Sequence, residues 1–266
     1  MKNRFLAILI MFLGLSISCS KDSADDGTNP VGIDKTANLK AIGDSANEIL
    51  SNNTFDKLRI EISYVKGFRP TFNAMADFVL FLKQHSFKQD IELLYQELPS
   101  PNEESLTIEE VFDLEKENRT VYNDGSTLAI YIYFADAPSD EDKEEEELVT
   151  LGAVYWNTSM VIYEDTIRKL ASKSAVVSVG DVETATLNHE FGHLLGLVDL
   201  GSTPVNDHED VDNESHCNVD GCLMGAELQF GAGMKKMLEN RASKGIVDAP
   251  GLGPECILDL QANGGR

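Results

Sequence analysis

Residues 57–65 place Leu58, Ile60, Ile62 and Tyr64 at alternate positions, the period-two pattern of a strand with one buried face. Upstream, Ala37–Leu50 has apolar residues at helical spacing and reads as a first helix. Pro70 can open a second helix through Phe72, Met75, Ala76, Val79, Phe81 and Leu82, and Ile91–Leu98 reads as a strand stopped by Pro99 and Pro101. His85, near Lys83 and Lys88, reads as a solvated residue of that second helix. Thr107 with Glu110 three positions on forms a capping box for a helix running to about Glu117. Thr127–Phe134, rich in β-branched and aromatic residues, is the clearest strand. Leu151–Trp156 and Met160–Tyr163 read as two further strands joined by a turn at Asn157-Thr158, and helical patches follow at Met234–Ala242 and Glu255–Leu260. Helices alternating with strands, without an internal repeat, predict an α/β or α+β layer structure.

Composition narrows the function. The 266 residues are 42% hydrophobic, enough for a real core, so disorder of the whole chain is excluded. Lys plus Arg number 22 against 45 Asp plus Glu, a formal charge of -23 that repels phosphate backbones and argues against nucleic acid as a partner. Asp140–Glu147 is too self-repelling to pack and belongs on an exposed loop or frayed helix end.

The chain begins with Lys2 and Arg4, an apolar run from Phe5 to Leu15, the small residues Ser16 and Ser18, and then Cys19. This pattern reads as an export signal, and its end resembles a bacterial lipoprotein processing site with Cys19 as the lipidated residue. The expected organisation is a signal peptide over 1–18, a flexible acidic tether over 19–35 and one folded domain over 36–266, its upper part about 36–196 and its lower part about 197–266. Export and anchoring to the cell envelope follow, at the outer-membrane surface, with the membrane touched only through the lipid and the body a monomer. In such an oxidising setting Cys217 and Cys222 are expected to close a small disulfide loop; a thiolate zinc site is the alternative, and Cys256 has no evident mate.

The decisive pattern is His189-Glu190-Phe191-Gly192-His193. On a helix capped by Asp181 and starting near Val182, His189 and His193 lie on one stripe and can reach one zinc ion, while Leu187, Phe191, Leu194, Leu195 and Val198 fall on the opposite, buried side. Glu190 stands beside the metal stripe, where a carboxylate can take a proton from metal-activated water. Gly196 and Asp199 extend the pattern to H-E-x-x-H-x-x-G-x-x-D, with the glycine letting the chain turn back towards the metal.

These residues resemble the metzincin clan of zinc metallopeptidases, in which a third ligand follows the glycine and a downstream Met turn floors the metal site. The third ligand there is usually His and, in the snapalysin-like branch, Asp. Gly221-Cys222-Leu223-Met224-Gly225 looks like the Met turn, with Met224 as its methionine. A second likeness, to the archaemetzincins, lies in His216-Cys217 followed by four residues and Cys222-Leu223-Met224; there the His is the third ligand. In this chain that pair is displaced by the insertion Leu197–Ser215, and no later C-x-x-C completes the second zinc site of that family. The likeness spans roughly Ala185–Gly225. The third-ligand candidates are Asp199, then His216, then His208.

The resemblance implies a mixed twisted sheet, an active-site helix, a Met turn and a small, mostly helical C-terminal part. It also implies zinc as cofactor and hydrolysis of a peptide or protein substrate, with Glu190 as general base and strand residues Leu151–Trp156 binding the peptide. The alternatives are a non-catalytic surface lipoprotein that uses the zinc helix as a scaffold to bind a protein or glycan, and hydrolysis of a non-peptide amide.

Overall fold

The computed structural model describes residues 34–143, 148–246 and 248–266. The export signal, Cys19 and the tether lie outside them, as do 144–147 of the acidic run, whose Asp140 and Glu141 are exposed.

Five strands form one sheet in the order β2-β1-β3-β5-β4. They are β1 (Lys57–Val65), β2 (Asp90–Leu98), β3 (Thr127–Phe134), β4 (Gly152–Trp156) and β5 (Ser159–Ile162). β2, β1, β3 and β5 are mutually parallel, whereas β4 returns antiparallel to β5 through the turn at Asn157-Thr158 and forms one edge. This is the expected α+β class with a mixed sheet.

Both faces of the sheet are covered, so the central strand β3 is buried along almost its whole length. Its Leu128, Ile130, Ile132 and Phe134 join Ile60, Ile62 and Met160 against α2 (Phe72–His85) and α5 (Val179–Leu194), with Phe78 edge-on to Phe191. Tyr131 and Tyr133, pointing the other way, form a smaller core with Val111 of α3 (Ile108–Asn118). The α3 start is the expected capping box: Thr107 Oγ1 accepts from Glu110 N, and the Glu110 carboxylate accepts from Thr107 N. The C-terminal part holds α6 (Gly231–Ser243) and α7 (Pro254–Ala262) at the two helical patches.

The structure differs from several expectations. The first helix shrinks to a 3-10 turn at Thr36–Asn38 and α1 (Ala46–Leu50). Buried Asn38 bonds instead to Asn123, Ala129 O and Thr158, and Gly43 takes a positive φ of 80° where a side chain would strike the backbone of Leu200. α4 (Glu164–Ser172), whose Ile167, Leu170 and Ala171 fall at helical spacing, and the hairpin of β6 (Glu209–Asp210) and β7 (Asn213–Cys217) were not among the predicted elements. His85 is buried rather than solvated, its ring tilted against Phe81, and burial lowers its pKa. Lys88 is also buried, with its Nζ held by Ser51 O and Phe55 O, and burial lowers its pKa to about 8.

Candidate metal centre

α5 starts one turn earlier than its periodicity indicates. Ser178 is the N-cap, and Asp181 closes a capping box at the third helical position: Ser178 Oγ accepts from Asp181 N, and the Asp181 carboxylate accepts from Ser178 N. From Val182 to Leu194 every residue is buried, so the helix is enclosed on all sides rather than offering an open face. Nearly two turns before the motif, Glu183 accepts hydrogen bonds from the Thr71 backbone and hydroxyl and faces Glu164 of α4. Burial, followed by repulsion from Glu183, pushes the Glu164 carboxyl up to about 9, although Arg168 bonds to it.

His189 and His193 are joined by His216 from β7, not by Asp199. The three imidazoles offer nitrogens all within 4.8 Å of one another, and their ring centroids are 4.9, 5.3 and 5.4 Å apart. His189 Nδ1 faces Leu223 O at 2.8 Å and His216 Nδ1 faces Glu214 O at 2.9 Å. A carbonyl can only accept, so both Nδ1 atoms are protonated and both Nε2 atoms keep a lone pair. Those two Nε2 atoms are buried without a hydrogen-bond partner, as is His193 Nδ1. Burial lowers the pKa of all three rings, that of His189 to about 4, which keeps them in the neutral form a metal needs. Three orphaned, neutral imidazoles in one buried cluster fit a divalent transition metal such as zinc.

Asp199 is exposed and outside this group. Gly196 ends α5 at φ 76° as expected, but Val198 and Asp199 then also take positive φ (56° and 62°). The segment is held against the body, Ser202 N donating to Gly196 O and Gly201 lying against Gly43, so the turn does not bring Asp199 to the histidines. His208 is elsewhere too, between Asp259 and Cys217. The Cys217–Cys222 disulfide does not form: Cys217, Cys222 and Cys256 are all free and buried, and Cys222 Sγ lies 3.6 Å from Cys256 Sγ.

Glu190 is buried beside the histidines, and loss of solvation pushes its carboxyl up to about 8. Two glycines that the motif reading passed over shape this centre. A Cβ on Gly152, the first residue of β4, would stand 2.7 Å from Glu190 Cγ, so the edge strand rests directly on the carboxylate arm. A Cβ on Gly192 would collide with Met224 Sδ. The middle of the motif is therefore glycine because the Met-turn side chain fills the space beneath it, and Met224 is wholly buried there. The only sequence signal for either role was a small residue in a conspicuous place.

No protein-family model matches the chain, and no curated protein matches it. Among solved structures it is similar to archaemetzincin from Methanopyrus kandleri, with a TM-score of 0.50 at 13% identity over 78% of this chain and 96% of that one. It is also similar to metalloproteinase-II from Bacteroides fragilis, with a TM-score of 0.39 at 15% identity over 89% of this chain and 59% of that one. Together with the sheet and the helix-borne histidines, the first of these likenesses gives the chain a metallopeptidase-like fold.

Proposed function

We propose that this protein is a zinc-dependent endopeptidase in which His189, His193 and His216 hold the metal and Glu190 is the general base. The observation that carries this reading is the convergence of three buried imidazoles with unpartnered nitrogens and one buried carboxylate, next to an open sheet edge. When bound, zinc supplies Lewis acidity, which lowers the pKa of water towards neutrality and polarises a carbonyl.

The chain's own groups do the rest. The Leu223 and Glu214 carbonyls fix the tautomer and aim of two of the three rings. The Glu190 carboxylate takes the proton of the attacking water and passes it to the departing amine, the two transfers a positioned general base makes. β4 is the sheet edge and carries half-buried Ala153, Val154, Tyr155 and Trp156, so an extended peptide can add to it as a sixth strand. Because Gly152 of that strand touches Glu190, a peptide paired with β4 runs past the general base.

The test is to load the purified full chain with zinc(II), assay cleavage of a peptide library, and repeat with Glu190→Gln. Zinc-dependent cleavage lost in the variant is the expected result. A zinc-loaded wild type that leaves every peptide intact overturns the reading.

We further propose that the chain is exported and anchored through lipid on Cys19. The support is the N-terminal pattern of basic residues, apolar run and Cys19.

A further inference from the structure

A cleft of about 320 Å³ lies between α4 and α6, lined by neither the three histidines nor Glu190. Lys169 and Lys173 stand on the α4 side and Lys235 and Lys236 on the α6 side. Four ammonium groups around one cleft are conspicuous in a chain with 22 basic residues against 45 acidic ones. The floor between them is apolar, made by Val149 and Leu170. Gly231 opens α6 against that floor, where a Cβ would stand 2.6 Å from Val149 Cγ2 and 3.3 Å from Leu170 Cδ1, so the two helices approach closely at this end.

The charges do not cancel within the cleft. Lys169 Nζ lies 2.7 Å from Asp165 and Lys235 Nζ lies 3.3 Å from Glu239. Among the described residues, Lys173 and Lys236 form no ion pair. Two carboxylates also line the space, and both are engaged: Asp142 accepts from Thr150 N at 2.7 Å, and Glu239 accepts from Ser174 Oγ at 2.8 Å besides facing Lys235. Thr166 of α4 supplies an independent sign of a ligand. It lines the same cleft, is only 5% exposed, and its hydroxyl is buried without a hydrogen-bond partner. A buried donor left unmatched is costly, and an acceptor entering the cleft would remove that cost.

The sheet topology places the cleft on the path of an extended peptide. β3 and β5 are parallel and end at this side of the sheet, while antiparallel β4 begins here. Pro138 after β3, Thr166 after β5 and Val149 before β4 accordingly all line the cleft. Antiparallel addition to β4 is the commoner and slightly more stable pairing. A peptide added in that sense runs in the direction of β5, passes Glu190 beside Gly152, and leaves the sheet where the cleft lies. Val149 precedes Gly152 by three residues, about 10 Å of extended chain, so side chains about two to four residues beyond the scissile bond come level with it.

We infer that the α4–α6 cleft is a subsite for an acidic side chain downstream of the scissile bond, an assignment that rests on the peptidase reading above. Lys173 and Lys236 take the carboxylate, and the Thr166 hydroxyl donates to it. The acidic character of the whole chain does not prevent this. Charges are screened over about 8 Å at physiological salt, so a carboxylate in the cleft feels the nearby lysines far more than the distant acids. Exposed ammonium groups are individually weak, and the pair should contribute about fivefold in affinity.

The test uses the full chain loaded with zinc(II) and peptides built around a bond that the library assay shows to be cleaved. Two peptides differ only in Glu or Gln at the third residue after that bond, and a second pair carries the same change at the third residue before it. In the first pair kcat/KM for the Glu peptide should be about fivefold higher, through KM, and the ratio should fall towards one as salt is raised. In the double variant Lys173→Glu, Lys236→Glu the ratio should drop to one or below. Binding of the labelled first pair to zinc-loaded Glu190→Gln, read by fluorescence anisotropy, should show the same preference. Equal binding of Glu and Gln peptides, a preference found only before the bond, or one that survives the double variant overturns the inference. Preferential binding of the Glu peptide with cleavage of no peptide overturns the proposed activity instead and leaves the cleft standing as an acidic-peptide site.

Discussion

Gly152→Ala is the most economical way to test whether Glu190 does the proton transfer, because it disturbs that carboxylate without touching a metal ligand. The added methyl would lie 2.7 Å from Glu190 Cγ and 3.1 Å from its Cδ and Oε1. Carbon atoms sit at about 3.5–4.0 Å in optimal contact, so something must yield by about 1 Å. The backbone of β4 is tied to β5, and Glu190 is only 3% exposed, so the yielding part is the Glu190 side chain inside a confined space. A catalytic group misplaced by about 1 Å can lose on the order of a hundredfold in rate. The fold should survive, since overpacking of this kind costs about 1–3 kcal/mol. The assay is kcat for peptide cleavage together with zinc content and Tm. We expect kcat to fall about a hundredfold, towards the level of Glu190→Ala, with zinc content unchanged. A zinc-replete Gly152→Ala enzyme within about threefold of wild type would refute either the contact or the role assigned to Glu190.

Much of the framework was legible because it depends on local rules. β1 and β3 announced themselves by alternation, and α3 by a capping box that needs only Thr107 and Glu110. The histidines of α5 were legible for the same reason: an i, i+4 pair on a helix is a local geometry. What the sequence concealed depends on long-range packing. The stretch before α1 looks helical until buried Asn38 finds Asn123 and Thr158, far along the chain. The third histidine of the cluster was not legible, because loop-closure entropy separates Asp199 from His216 only weakly. Asp199 needs the shorter loop, but reaching His216 instead is roughly two doublings of loop length, about 1.2 kcal/mol. The β6–β7 hairpin and the bond from Cys217 N to Met224 O can offset a cost of that size. The positive φ of Gly196, Val198 and Asp199 meanwhile turns Asp199 outward. The cysteines show the same limit, since Cys217 and Cys222 are near in sequence while Cys256 of α7, 34 residues on, also lies within 3.6 Å of Cys222 Sγ.

Four further predictions address the centre, the anchor and the buried charges. Glu190→Ala should keep zinc yet lose at least about a hundredfold in turnover, whereas His193→Ala should lose the metal itself, as read by elemental analysis. His216→Ala should weaken zinc binding by far more than Asp199→Ala in a competition titration with a chromogenic chelator; the reverse order would restore Asp199 as the third ligand. Cys19→Ser should shift the protein from the membrane to the soluble fraction, and retention after a salt wash would refute the anchor. The last concerns Glu164, whose carboxyl is pushed up to about 9 in the fold by burial and then by Glu183. In the unfolded chain it titrates near 4.5, so between about 4.5 and 9 the native state holds a proton that the unfolded state has released. Stability must then fall as pH rises through that window, with a slope on the order of 1 kcal/mol per pH unit from this group alone. Gln resembles the protonated acid, keeps an acceptor for Arg168 and cannot ionise. Glu164→Gln should therefore flatten the dependence of Tm on pH and raise Tm at pH 8 more than at pH 5. An equal effect at both values would mean that Glu164 is already ionised in the folded protein and that Arg168, not the buried proton, governs this corner of the helix pair.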